Sequence, residues 1–166
     1  MIKKIDQKIF FALYNFAVSH ELISKSAVFI TKFSSKFFSL TYFIAVGWLI
    51  YSSDPKLRSF ILIPTAVYLT VKLIPFLYNR SRPFAEYSVK SLVKQRRDQS
   101  FPSTHAASSM IISMAFINIR PEFGALMFGL AVITALSRIM VGVHYPTDII
   151  GSWLLAAIIN LLALKL

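Results

Sequence analysis

The sequence has no cysteine, which excludes disulfides, thiolate nucleophiles and cysteine-held metals. Acidic residues are nearly as scarce: 7 Asp and Glu stand against 18 Lys and Arg in 166 residues, for a formal net charge of +11. A two-metal hydrolytic site needs several carboxylates to hold its cations, and this chain has few to offer. Charged residues make up only 15% of the chain while 56% is hydrophobic, and mean hydropathy is +0.64, too apolar for most soluble domains. In a soluble protein such a basic excess would suggest nucleic acid. Here the bases lie between or beside apolar runs, where they meet lipid headgroups or an anionic substrate, and no soluble, aromatic-interleaved basic surface is evident.

Along the chain, residues 6–18 carry Ile5, Phe10, Leu13, Phe16 and Ala17 on or beside them among polar neighbours, the pattern of an amphipathic helix lying in the interface. No convincing cleavage site follows, and the segment reads as part of the mature protein. Residues 21–35 form a second helix candidate, whose Lys25 and Lys32, with Lys36 just beyond, call for a tilted, interfacial or sheltered position. Clear spans follow over 37–52 and 58–79, the latter interrupted by Pro64 and Pro75 and carrying Lys72. After a polar segment from Asn79 to Thr104, three further spans cover 104–118, 123–141 and 147–163. The expected architecture is all-α: a polytopic membrane bundle of about six helices with an amphipathic N-terminal segment, residues 1–166 forming one membrane-embedded domain.

Counting crossings puts the basic loop 80–104 and the turn 142–148 on one membrane face, with 53–57, 119–122 and the C-terminus on the other. Lys56, Arg58, Arg120 and Lys165 then mark the second face, joined by Lys3 and Lys4 if 21–35 crosses. Three polar clusters meet at the first face: Arg80-Ser81-Arg82-Pro83, Phe101-Pro102-Ser103-Thr104-His105, and Ser137-Arg138 with His144 and Asp148. Of the chain's three histidines, His20, His105 and His144, two fall in these clusters. Pro102 and Ser103 open an apolar helix, so the free N–H groups of Ser103 to Ala106 either face an anion or are capped by Ser103 or Thr104; capping leaves His105 unexplained. Arg138, near the end of a span, costs several kcal/mol if unpaired. His144 and Asp148 lie one helical turn apart, where a carboxylate can fix a histidine tautomer for nucleophilic or basic work, or where both simply open a helix. Arginine forks match phosphate oxygens, so the residues suggest metal-free phosphoryl transfer.

These residues resemble the type 2 phosphatidic acid phosphatases, the PAP2 superfamily. The family pattern has three parts. Its third, Ser-Arg, five residues, His, three residues, Asp, is met in full by Ser137-Arg138, His144 and Asp148. Its second, Pro-Ser-Gly-His, is met by Pro102, Ser103 and His105, with Thr104 in place of Gly. Its first, Lys, six residues, Arg-Pro, is met by Arg82-Pro83, but Pro75 stands at the lysine position. Lys72, one turn earlier, and Arg80 are rivals for that lysine's role.

The resemblance, over about residues 72–150, implies that His144 attacks phosphorus and forms a phosphohistidine, oriented by Asp148. His105 would protonate the leaving oxygen and then activate water. Arg82, Arg138 and Ser103, with backbone N–H near Thr104 and with Lys72 or Arg80, would hold the phosphate. The family's six-helix core equals the five spans plus residues 21–35. No metal or other cofactor is implied. The substrate is expected to be a membrane lipid phosphate or diphosphate, with undecaprenyl diphosphate ranked above lipid A 1-phosphate and phosphatidylglycerol phosphate, and with water as co-substrate. A membrane anion-binding or transport subunit is the competing class; nucleic acid is not expected. The expected location is the inner or plasma membrane, with the site on its outer face.

Overall fold

The computed structural model describes residues 2–163, and for Ile2 the backbone alone. Lys165 lies outside the described residues. Within them the protein is all-α: α1 (Ile2–Ser19), α2 (Glu21–Tyr51), α3 (Leu57–Leu77), α4 (Pro83–Glu86), α5 (Thr104–Ile117), α6 (Pro121–Met140) and α7 (Pro146–Ala163). Helices α2, α3, α6 and α7 are long and apolar enough to cross a membrane.

The expected division between 35 and 37 does not occur. No proline or glycine interrupts the chain from Glu21 until Gly47, so one 31-residue helix continues through both segments. Such a helix is ~46 Å long, well beyond the ~30 Å hydrocarbon core. Its lysine-bearing first half, with Lys25, Lys32 and Lys36 exposed, therefore extends toward the headgroup zone. Residues 21–35 are thus the first half of one crossing, and α1 is the remaining long helix.

In α3, Pro64 has no N–H to offer the carbonyl of Phe60. The hydroxyl of Tyr42, on α2, donates to that carbonyl at 3.1 Å, so the proline's cost is met by a neighbouring helix. Helix α5 is only 14 residues long, yet nine of them are buried, because α3, α6 and α7 all pack around it. A helix enclosed by its neighbours need not match the bilayer thickness, and at ~21 Å it does not.

The two ends of the bundle sort as the crossings require. At one end Lys56 Nζ donates to the Asn118 carbonyl at 2.7 Å, joining the start of α3 to the end of α5. At the other, the loop after α3 is stitched to the turn after α6 by Leu92 N–H to Val141 O (3.1 Å) and Phe84 N–H to Gly142 O (3.3 Å). Gly142 has φ +86°, a conformation that side chains disfavour, and the Tyr14 ring lies 3.2 Å from where its Cβ would be. Helix α1 lies against this same end. Its buried residues Asp6, Phe10, Tyr14 and Ala17 follow helical spacing along one face, and Lys3 pairs with Glu86 at 2.9 Å. Lys3 therefore belongs to the end that carries the polar clusters, not to the opposite face, because residues 21–35 make no separate crossing.

Candidate active site

Four elements deliver the candidate residues to one end of the bundle. The loop after α3 brings Arg80 and Arg82, the start of α5 brings Ser103, Thr104 and His105, the last turn of α6 brings Arg138, and the turn into α7 brings His144 and Asp148. His144 sits in the turn 141–145, every residue of which is buried; its own exposure is 2%.

The partners of His144 define its tautomer. Nδ1 lies 2.7 Å from the Ser100 carbonyl, which can only accept, so Nδ1 carries the proton. Nε2 lies 3.2 Å from Arg82 Nη1, which can only donate, so Nε2 keeps its lone pair. Burial pushes the His144 imidazole down to about 4; Asp148 opposes this, and Arg138 and Arg82 add to it. The imidazole is consequently neutral at physiological pH, with its Nε2 lone pair accepting from Arg82.

Asp148 does not take the hydrogen bond of His144 directly, as a one-turn spacing suggests. Its Oδ2 is 3.6 Å from Nδ1, close enough to stabilise positive charge on the ring. The same oxygen accepts from the Ser100 hydroxyl at 2.6 Å and from the Tyr145 N–H at 2.8 Å, while Oδ1 accepts from Arg80 Nη1 at 2.7 Å. The Tyr145 contact is the return half of a capping box at the start of α7, so Asp148 also caps that helix. Ser100, which carried no expectation, links the pair: its carbonyl holds His144 and its hydroxyl holds Asp148. Only its place two residues before Pro102 sets it apart in the sequence.

The three arginines have different surroundings. Arg80 donates to Asp148, to Thr147 and, through Nη2, to Asp6 at 2.7 Å, and its guanidinium lies 4.0 Å from the Tyr145 ring centroid. Burial alone would lower its pKa, but Asp148 and Asp6 outweigh it and raise the value. Its side chain is directed into these carboxylates. Arg82, 7% exposed, donates to the carbonyls of Asp98, Gln99 and Val143, and burial lowers its pKa to about 10. Arg138 is 2% exposed, and its Nε and Nη2 have no hydrogen-bond partner among the described residues. Buried donors left without a partner cost ~1–3 kcal/mol, so a position like this calls for an anion.

At the start of α5 the Ser103 hydroxyl accepts from Ala106 N–H at 3.5 Å, and Ser103 N–H donates to the Ser152 hydroxyl at 2.7 Å. Of the four N–H groups expected to face an anion, Thr104 and His105 remain without an intrahelical acceptor. His105 lines a cavity of about 160 Å³ with Thr104, Tyr68, Ser108 and Thr134 among others, and it feels the charges of Arg138, Arg82 and Lys72. Lys72 is exposed on α3, with Nζ 5.5 Å from the ring centroid of Tyr68 in that cavity wall. The structure thus groups His105, His144, Arg82, Arg138 and Lys72 electrostatically and sets Arg80 behind Asp148.

A bundle of membrane-crossing helices that gathers an unpartnered buried arginine and a lone-pair-bearing histidine at one end defines a membrane protein with an anion-receiving site. The family model of the PAP2 superfamily matches residues 56–166, and the chain belongs to that family; it is a membrane phosphatase of the PAP2 type. Over 162 residues it is 32% identical to the undecaprenyl-diphosphatase BcrC of Bacillus subtilis (strain 168), covering 95% of this chain and 82% of that one. It is 31% identical over 103 residues to a lipid A 1-phosphatase of Rhizobium johnstonii, covering 55% of this chain and 42% of the relative. In fold it is similar to the crystal structure of Aquifex aeolicus LpxE, with a TM-score of 0.79 and 24% identity over 96% of this chain and 94% of that one.

Proposed function

We propose that this protein is a metal-independent lipid phosphatase that works through a phosphohistidine on His144, and that its substrate is undecaprenyl diphosphate. The observation that carries the mechanism is the pairing of a fixed Nδ1–H tautomer, which leaves the lone pair on Nε2, with a buried Arg138 whose Nε and Nη2 have no partner among the described residues. The substrate assignment is supported by the likeness to the Bacillus relative over nearly the whole chain.

On this reading Nε2 attacks the terminal phosphorus. The P–N bond forms as the bond to the bridging oxygen breaks, and His105, protonated once the bound phosphate offsets the neighbouring cations, gives its proton to that oxygen. Arg82 turns an N–H from Nε2 to a phosphate oxygen, while Arg138, Lys72 and the N–H groups of Thr104 and His105 hold the others. Asp148 stabilises the positive phosphoimidazole. Water then attacks phosphorus, His105 takes its proton, the P–N bond breaks and inorganic phosphate leaves. Ser103 contributes by capping α5, and Arg80 by holding Asp148. The groups proposed to hold the phosphate are cationic side chains and backbone N–H groups, a donor set suited to phosphate oxygens.

The test is phosphate release by detergent-purified protein in EDTA, with undecaprenyl diphosphate and lipid A compared in the same micelles and His144→Ala as the blank. Faster EDTA-resistant release from undecaprenyl diphosphate, absent in the variant, is expected. Faster release from lipid A moves the substrate assignment to the reading that the Rhizobium likeness favours. Release that survives His144→Ala removes the nucleophile. The site is further assigned to the outer membrane face. A single cysteine introduced at Lys94 of this cysteine-free chain should react with an impermeant maleimide in intact cells, and protection there would reverse the orientation.

A further inference from the structure

We infer that Asp6, on the N-terminal amphipathic helix, is a positioning residue for the nucleophile, acting through Arg80 on Asp148; the inference rests on the proposed role of His144. An acid on the buried face of an amphipathic helix is costly unless its charge is used. Asp6 is 3% exposed, in register with Phe10 and Tyr14, and among the described residues its side-chain hydrogen bonds all lead to the site. Its Oδ2 accepts from Arg80 Nη2 at 2.7 Å and from the Thr147 hydroxyl at 2.6 Å, and its Oδ1 accepts from Thr147 N–H at 2.9 Å. Arg80 spans the gap, Nη2 on Asp6 and Nη1 on Asp148, with its plane against Tyr145. With both ends of the guanidinium held, Asp148 Oδ1 is fixed, and its other oxygen stays within reach of the His144 ring.

Docking of α1 does not by itself require this acid. The Tyr14 hydroxyl donates to the Lys90 carbonyl at 2.8 Å, Lys3 pairs with Glu86, and Phe10 packs between Tyr87 and Tyr145. What Asp6 adds is a negative charge on the far side of Arg80. Without it Nη2 loses its partner, and the guanidinium is free to turn away from Asp148 toward the incoming phosphate. Asp6 also lies outside residues 56–166, the region that the family model matches.

Asp6→Asn separates this role from simple anchoring, because the amide oxygen can still accept from Thr147 N–H while the charge is gone. The measurement is single-turnover phosphate release with enzyme in saturating excess, where the rate constant does not depend on the fraction of misfolded protein. The substrate is whichever lipid phosphate the unaltered protein turns over fastest. Asp6→Asn should slow the rate constant roughly tenfold or more, within the ~100-fold that a displacement of ~1 Å can cost. Arg80→Gln should slow it similarly, and the double variant should be no slower than the slower single variant within about twofold, since both act on one route. An Asp6→Asn rate constant within about twofold of the unaltered protein overturns the inference, as does multiplication of the two single effects. Undiminished release by His144→Ala, or none by the unaltered protein, would instead remove the reading on which it rests.

Discussion

Replacing Arg138 by Met should make the protein more stable and nearly inactive. Two of the guanidinium nitrogens of Arg138 are buried without partners, at a cost of ~1–3 kcal/mol for each unsatisfied group. Methionine keeps the length of the stem and carries no charge, and exchange of buried charge for apolar volume commonly stabilises by ~1–4 kcal/mol. A gain of about 2 kcal/mol corresponds to a rise of roughly 4–8 °C in Tm for a chain of this size. Loss of one donor to a transferring phosphoryl group costs about 10²–10³ in kcat. Thermal unfolding in detergent, followed by circular dichroism, measures the first effect and phosphate release the second. Inorganic phosphate should raise the Tm of the unaltered protein and leave Arg138→Met unmoved. A variant that melts several degrees lower would refute the reasoning, because it would mean that Arg138 is already satisfied by the protein and is not held open for an anion.

Other outcomes follow from the same geometry. His144 must be neutral to attack, and its pKa lies near 4, so the acid limb of kcat/KM should fall below about pH 5; a limb at the ordinary value of 6.5 would contradict the burial argument. The folded protein binds fewer protons at His144 than the unfolded chain does. Its contribution to stability is therefore complete above pH 6.5 and is lost as pH falls toward 4, which urea titrations at two pH values would detect. Lys72→Ala should raise KM more than it lowers kcat, whereas Arg80→Ala should lower kcat more than it raises KM; the reverse pattern would return the phosphate contact to Arg80. Tyr42→Phe leaves the Phe60 carbonyl beneath Pro64 without its donor and should cost about 1 kcal/mol of stability, with turnover within about twofold.

The spans and their alternation were legible because long apolar runs are strong local signals. The continuity of α2 was obscured because its lysines suggest a boundary, although no residue there breaks a helix. The three polar clusters could be assigned to one end by counting crossings alone. Which atoms meet within that end was not legible. The Ser100 carbonyl, and not Asp148, accepts the hydrogen bond from His144 Nδ1–H because the turn 141–145 folds back onto the loop before Pro102, a contact 44 residues apart in the chain. Asp6 did carry a signal, since it continues the spacing of Phe10, Tyr14 and Ala17, but an acid in that register reads as solvent-facing until Arg80 is found opposite it. Arg80 and Lys72 were equivalent as cations in the sequence. They part in the structure, where two carboxylates hold Arg80 and Lys72 lies exposed beside Tyr68, a residue of the His105 cavity wall.

The charges around the site also bear on which phosphates it accepts. Leaving His105 and the neutral His144 aside, Lys72, Arg80, Arg82 and Arg138 are met by two carboxylates, Asp6 and Asp148, so two positive charges are left uncompensated. A terminal phosphate carries about −1.5 to −2 near pH 7 and matches that excess. The phosphodiester group of ordinary bilayer lipids carries a single negative charge and a second substituent, leaving one cation unmatched in a partly dehydrated pocket, where imbalance is costly. A protein bathed in phosphodiesters can thus find a scarce phosphomonoester or diphosphate by charge before it reads the rest of the headgroup. Short-chain phosphatidic acid should accordingly compete with substrate at least tenfold better than short-chain phosphatidylglycerol, by analogy with the cost of leaving a charged partner unpaired. Equal inhibition by the two would mean that the acyl chains and not the charge balance govern entry.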